Sequence, residues 1–368
     1  MLFAAHAVLS VWTWKIPVVL QILGLTWNYA MLKIVSVFPK CSLHEDSFTT
    51  YDRCLKRMVE FNTTVAASLT IGTGIVGLFV NICVGYAVRR CKTFGHAFGS
   101  LCFSQTVANV GNICVFVFLT GGMTFIEPEW HKTYIGRRSG QLLIFFWEAS
   151  IFTHLFISMN RAIAVNFPIK YNVIFHDKKT TTMIVALIWF IAALQAFPYT
   201  LPSCSMKFHP GTFTYEYSSS FCGRMVEQIG DLYVSIAVVT VIGLLDLTSF
   251  FRLHQLTHHH TNGKAKAKEL RLFFQACTQA VLLMFCECSF FYLSSLSDNM
   301  WYAFASTTFI WVVTHFLDGV IVFVFSREIR SIILNKQEER ISGLEPSIYH
   351  TRNKQTTVQP LSRRSLKF

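Results

Sequence analysis

Charge is what this sequence has least of. Asp, Glu, Lys and Arg make up only 14% of its 368 residues, where a soluble domain carries about 25%. Hydrophobic residues reach 52% and the mean hydropathy is +0.43, so much of the surface must face lipid rather than water. The marks of common enzymes are missing too. No P-loop, H-E-x-x-H or G-x-S-x-G element occurs, which leaves an enzyme reading without a catalytic residue or a cofactor to name. No internal repeat is visible, and neither half mirrors the other as the halves of many transporters do.

What is present is a series of long apolar runs. A bilayer span needs roughly 20 mostly apolar residues, and seven candidates occur at 65–88, 97–120, 140–160, 180–201, 229–251, 272–296 and 302–325. The expected fold is an all-α membrane protein, a bundle of seven transmembrane helices. Loop charge orients it. The connections after spans one, three and five, with the tail, hold 21 Lys/Arg, against 5 in the connections after spans two, four and six. Cytoplasmic loops collect Lys and Arg, so the C-terminus is expected inside and the residues before Val65 outside, in the plasma membrane. The net charge of +12 then reflects topology. Nucleic acid is a poor partner, because the most basic stretch, Lys264 to Arg271, runs directly into span six.

Three regions are expected: an extracellular 1–64, a seven-helix domain 65–326 and a cytoplasmic 327–368. The first contains an apolar segment, 16–32, flanked by Lys15 and Lys33. It fits an eighth span, a signal segment or a stretch lost from the mature protein, and Asn28-Tyr29-Ala30 makes a poor cleavage site. Asn62-Thr63-Thr64 is the one N-glycosylation sequon, on the side expected outside. In the last region Ile329, Ile332 and Ile333 recur at helical spacing opposite Arg327, Arg330 and Lys336. That pattern predicts a helix lying on the membrane, followed by a disordered tail from about Gly343. His254, His258, His259 and His260 invite a metal reading, but with no Cys or acid nearby a solvated loop fits the composition better.

Span three ends on Asn160-Arg161, and the pattern N-R-x-x-A-x-x-x-P-x-x-Y leads out through Pro168 to Tyr171. It resembles the Asp-Arg-Tyr region of rhodopsin-like G-protein-coupled receptors, with Asn160 in place of the usual acid. Gly77-Leu-Phe-Val-Asn81 and Val84 resemble the same receptors' first span. Three further stretches resemble the nematode serpentine receptors of class x (Srx). They are His96-Ala-Phe-Gly-Ser-Leu-Cys-Phe-Ser104-Gln105, Thr153-His154-Leu-Phe-Ile-Ser158-Met-Asn160-Arg161 and Thr314-His315-Phe-Leu-Asp318-Gly319. The resemblance implies a rhodopsin-like chemoreceptor on sensory neuron cilia that detects a small-molecule odorant and signals to a heterotrimeric G protein. Arg161 and Asn160 would then serve coupling. The chain departs from the wider rhodopsin-like pattern: span two has no acid, spans five and six have no proline, and Asp318-Gly319 stands where Asn-Pro is usual. An ion- or proton-coupled transporter and a ligand-gated seven-helix channel are the alternatives. The channel would need the opposite topology.

Four acids fall well inside apolar segments, away from their first turns: Glu148, Asp246, Glu287 and Asp318. A charge facing lipid at a helix centre costs about 2.5–3.5 kcal/mol, so each should face the bundle interior or a membrane edge. Glu148 precedes Arg161 by 13 residues, about 20 Å along a helix. With Trp147 it is a candidate ligand contact, or else a buried carboxyl that joins helices. Asp318 is expected to make interhelical contacts with His315, one turn away, and with Asn81. Asp246, six residues before Arg252, is expected in solvent at the inner rim. Glu287 has no evident partner.

Of the 11 cysteines, Cys41, Cys54, Cys204 and Cys222 are expected outside, where oxidation is permitted. Four cysteines allow three pairings, and free thiols are a further outcome. Rhodopsin-like receptors usually tie the outer end of span three to the next outer loop, but no cysteine lies between Cys114 and Cys204. A local Cys204–Cys222 bond is therefore the expectation, with Cys41 left to Cys54.

Overall fold

The computed structural model describes residues 61–334 apart from 92–93, 176 and 260–262, and the side chains of 256–270 also lie outside the described set. The apolar segment 16–32, Cys41, Cys54, His258 to His260 and the tail from 335 fall outside it. Among the described residues, seven helices are long and apolar enough to cross a membrane: Thr63–Arg90, His96–Ile126, Tyr134–Asn166, Lys178–Ala196, Phe221–Gln255, Arg271–Phe291 and Met300–Phe325. These are spans one to seven.

Most helices extend past the apolar runs because polar caps, not hydropathy, set their starts. Asn62 accepts from the backbone N–H of Thr64 and Val65, Thr133 from Gly136, Asp177 from Lys179 and Ser220 from Gly223. Each satisfies amide donors that a helix start leaves free. Span four instead stops short, at Ala196, since Pro198 and Pro202 force two single 3₁₀ turns, Pro198–Thr200 and Pro202–Cys204.

Span seven is the centre of the bundle, with 83% of its apolar window buried, whereas spans four and five bury 22% and 28% and lie at the periphery. Span seven packs on spans one, two and six; span three packs on two, four and five. Side chains such as Phe79, Phe190, Leu244 and Val281 point outward, as a lipid face requires. Small residues permit the closest crossings. A Cβ on Gly319 would sit 2.8 Å from Asn81 Oδ1, so only glycine lets spans one and seven meet there.

One end carries a β-hairpin, β1 (Met206–His209) paired antiparallel with β2 (Thr214–Tyr217), Met206 opposite Tyr217. Its tip folds inward: Phe213 is fully buried with φ 56°, a backbone state rare for a bulky residue. A Cys204–Cys222 disulfide with Cα atoms 4.9 Å apart joins the base of the hairpin to the start of span five. Three spans open into π-helical turns at this end: Val115–Gly122 in span two, Val226–Tyr233 in five and Ala305–Phe309 in seven. Each π segment supplies one contact to the hairpin. Thr120 bonds the Tyr215 hydroxyl at 2.7 Å, Tyr217 donates to Asp231, and Thr308 donates to the Phe213 carbonyl at 2.8 Å.

The opposite end carries Arg161, the short helix Pro168–Phe175 and a final helix, Arg327–Ile333. The final helix buries Ile329 beside Val84, Val88 and Val322. Arg330, read from sequence as facing headgroups, instead donates to the Val324 carbonyl.

Candidate functional site

Polar side chains gather at three depths along an otherwise apolar bundle. The middle group centres on Asp318. Its Oδ2 accepts from Asn109 at 2.6 Å and Gln105 at 3.2 Å, and its Oδ1 from Gln279 at 2.7 Å. His154 Nε2 lies 3.3 Å from Oδ1. Asn81 and His315 do not touch the carboxylate directly. Asn109 stands between: it donates to Asn81 at 3.3 Å and its Oδ1 lies 2.9 Å from His315 Nδ1. Asn81 also donates to the His315 carbonyl at 3.1 Å. Spans one, two, three, six and seven therefore meet at one carboxylate, whose burial is offset by several donors. Gln105 and Asn109, one helical turn apart on an apolar span, were the sequence signal for this centre, as was Gln279.

The second group lies toward the hairpin and is acidic. Glu148 is fully buried, and neither of its carboxyl oxygens has a hydrogen-bond partner. Asp231 of span five and Glu287 of span six line one small cavity together with Trp147, the residue before Glu148. Trp147 Nε1 donates to Ser235 of span five at 3.4 Å. Trp147, Asp231, Cys286, Glu287, Phe290 and Trp311 line a cavity of about 10 Å³, little more than one water. Trp311 meets Trp147 and Phe290 edge-on at 5.7 and 5.6 Å between ring centres.

Tyr217 closes this group from above. Burial, then the Asp231 charge, holds its phenol well above the ordinary tyrosine range, so it remains a donor to Asp231. Burial likewise pushes Tyr215 up to about 12. Sequence reading singled out Glu148 and Trp147 and left Glu287 without a place. It omitted Asp231, the third residue of the apolar run 229–251, which lies in the π turn of span five.

The third group is at the arginine end. Arg161 lies 3.6 Å from Asp246 of span five, and Asp246 is 2% exposed. Ser158 donates to the same carboxylate at 3.3 Å. This corrects the expectation that Asp246 sits in solvent: span five turns it toward span three, where it supplies the acid that Asn160 does not. Asn160 itself is buried with its amide nitrogen unbonded.

A larger cavity lies elsewhere. It is a groove of about 510 Å³ among spans one, two and four, lined by Arg89, His96, Phe103, Ser104, Thr182 and Trp189 among others. It contains none of the three groups, and its open, lipid-facing shape makes it a weaker candidate than the buried acids.

Comparison with known proteins gives the same architecture a lineage. The family model for the serpentine type 7TM GPCR chemoreceptor Srx matches residues 71–326. Serpentine receptor class X 45 of Caenorhabditis elegans is 26% identical over 291 residues, covering 73% of this chain and 80% of that protein. Serpentine receptor class X-43 of the same organism is 23% identical over 267 residues, covering 70% and 82%. A seven-span bundle with Asn160-Arg161 closing span three and His315 and Asp318 at its centre thus has its relatives among sensory receptors, and the chain belongs to the Srx family of serpentine seven-transmembrane GPCR chemoreceptors.

Proposed function

We propose that this receptor takes a small-molecule ligand at the hairpin end, outside the cell, and couples to a heterotrimeric G protein at the arginine end. The observation that carries the reading is the Arg161–Asp246 pair. A guanidinium with a planar fork of donors is suited to meet a protein partner, and here an acid of another helix holds it inward. Release of span five from span three frees it. The loop charges support the orientation: 21 Lys/Arg in the connections and tail on the arginine side against 5 in the connections between spans on the hairpin side. Trp147 and Glu148 serve the ligand, Asn160 and Arg161 the G protein, and the Asp318 centre with Asn81 and His315 joins the helices between them. The plasma membrane of sensory cilia is the proposed location.

The test uses the full-length chain in cells with a surface tag and a G-protein activation reporter. Arg161→Ala is expected to reach the surface at the wild-type level and to abolish activation. Equal activation in the two proteins would count against a coupling role.

A further inference from the structure

We propose that Glu148, Asp231 and Glu287, with the aromatic wall of Trp147, Trp311 and Phe290, form a binding site for a small protonated amine. This deepens the reading of the hairpin end as the ligand end and rests on it.

The first support is an imbalance of charge. Asp231 and Glu287, from two spans, line one cavity. Glu148 of a third span is fully buried next in sequence to Trp147 of its wall. Among the described residues no ion pair reaches any of the three; the pairs that occur lie elsewhere. The other titratable groups facing the cluster are Glu227 of span five, Tyr199 after span four, Tyr217 of β2 and Cys286 of span six. None is a base. Contrast the Asp318 centre, whose single carboxylate has four neighbouring side chains placed to receive it. The acidic group has acceptors in excess and lacks donors: both oxygens of Glu148 and Oδ1 of Asp231 are buried and unbonded. An ammonium brings up to three N–H donors and one positive charge, which is what the site lacks.

The second support is independent of the acids. Trp311 is 5% exposed and lines the same cavity, and its indole N–H is left without an acceptor by the protein. An ammonium has donors only and does not satisfy it, so it calls for an oxygen elsewhere on the amine's skeleton. The rings of Trp147, Trp311 and Phe290 meet edge-on around the space, leaving faces for an organic cation and its carbon skeleton. A structural salt-free cluster would need neither an aromatic wall nor a cavity.

The third support is a built-in competitor. Tyr217 donates to Asp231 and belongs to the hairpin pinned by the Cys204–Cys222 bond. An ammonium on Asp231 displaces that hydroxyl and frees the hairpin from the π turn of span five. The cavity of about 10 Å³ is therefore the closed arrangement, and admitting an amine opens it. Opening moves span five, the helix that also holds Asp246 against Arg161.

The experiment uses the full-length receptor in lipid nanodiscs, with thermal unfolding and binding measured at pH 7.4. The probes are straight-chain primary amines from methylamine to hexylamine and 2-phenylethylamine, each beside the alcohol of the same skeleton. At least one amine should stabilise the receptor while its alcohol does not. Asp231→Asn and Glu287→Gln should each weaken that amine at least tenfold. Tyr217→Phe should tighten it several-fold, a direction that misfolding cannot produce. Three results overturn the proposal: no amine acts, alcohols act equally, or lowering the pH to 6 without amine gives the same response and the same losses in the variants, which would make the proton the ligand. Basal G-protein activation by Asp246→Asn, measured in parallel, needs no ligand. If it persists while every amine fails, the ligand class is wrong and the receptor reading stands.

Discussion

Arg161 meets an acid of another helix, not one beside it in the chain, and this moves the resting restraint from within span three to the contact of spans three and five. Asp246→Asn removes the opposing charge, so it is expected to raise ligand-free signalling, as a nucleotide-exchange assay would register. Asn160→Asp adds a second acid beside the guanidinium and is expected to lower it. The Asp318 centre predicts a different phenotype. Replacing Asp318 by Ala removes the hydrogen bonds it accepts from Gln105, Asn109 and Gln279; at about 0.6 kcal/mol per membrane hydrogen bond, a loss of roughly 2 kcal/mol follows. Thermal unfolding in detergent measures it, and an unchanged melting temperature would contradict the assignment. His131 provides a pH dependence outside the spans. It is buried against Phe208 and Thr124, and burial lowers its pKa from 6.5 to about 4. The folded state therefore binds fewer protons than the unfolded one between those values. Its stabilising effect is full above about pH 6.5 and is lost as pH falls toward 4, by at most about 3 kcal/mol. His131→Gln should flatten the acid limb of a melting-temperature profile.

Among the elements, the hairpin governs the upper third of the bundle. Its three contacts fall on three π turns, segments whose extra residue per turn disrupts the regular ladder and which recur at functional sites. Cys204→Ser or Cys222→Ser opens the 18-residue separation that the bond closes, at a cost of about 3 kcal/mol on the chain-entropy model. The result should appear as faster proteolysis between Pro202 and Phe221 with the seven spans intact. Gly140 supports the hairpin from beneath. A Cβ there would stand 2.3 Å from the Met206 carbonyl oxygen, so Gly140→Val should lift β1 and produce the same proteolytic signature.

How much of this was legible follows from the physics of each element. Hydropathy marks spans because lipid imposes it residue by residue, and caps such as Asn62 and Asn299 can be read as helix starts. Which face of a span turns inward depends on its neighbours. That is why Asp246 was read against Arg252, near in sequence, when its partner Arg161 is near only in space. Asp231 escaped notice because it stands third in the run 229–251, where an acid reads as a boundary residue; span five in fact starts at Phe221, and Asp231 is buried within it. The Cys204–Cys222 pairing followed from topology, since so few cysteines lay on the oxidising side. The hairpin between them left no comparable mark, because its inward residues Phe208, Phe213 and Tyr215 alternate over too short a stretch.

Across the whole molecule, the three polar groups define a path. An acidic group under the hairpin, the Asp318 centre joining five spans, and the Arg161–Asp246 pair lie in order along span three, with Glu148 and Arg161 about 20 Å apart. Span five touches the first group through Asp231 and the last through Asp246. On the proposed function, motion of that one helix would link the two ends. Orientation can be checked on intact cells: a tag before Asn62 should be accessible without permeabilisation and a tag at Phe368 should not. The most direct test of the account is nucleotide exchange on a panel of purified heterotrimers by the reconstituted receptor, wild type beside Asp246→Asn, Arg161→Ala and the double variant. Asp246→Asn is predicted to exceed wild type several-fold without ligand, and Arg161→Ala and the double variant to fall together to the receptor-free rate. Four equal rates, or a double variant as active as Asp246→Asn alone, would contradict the claim that Arg161, held by Asp246, is the coupling group.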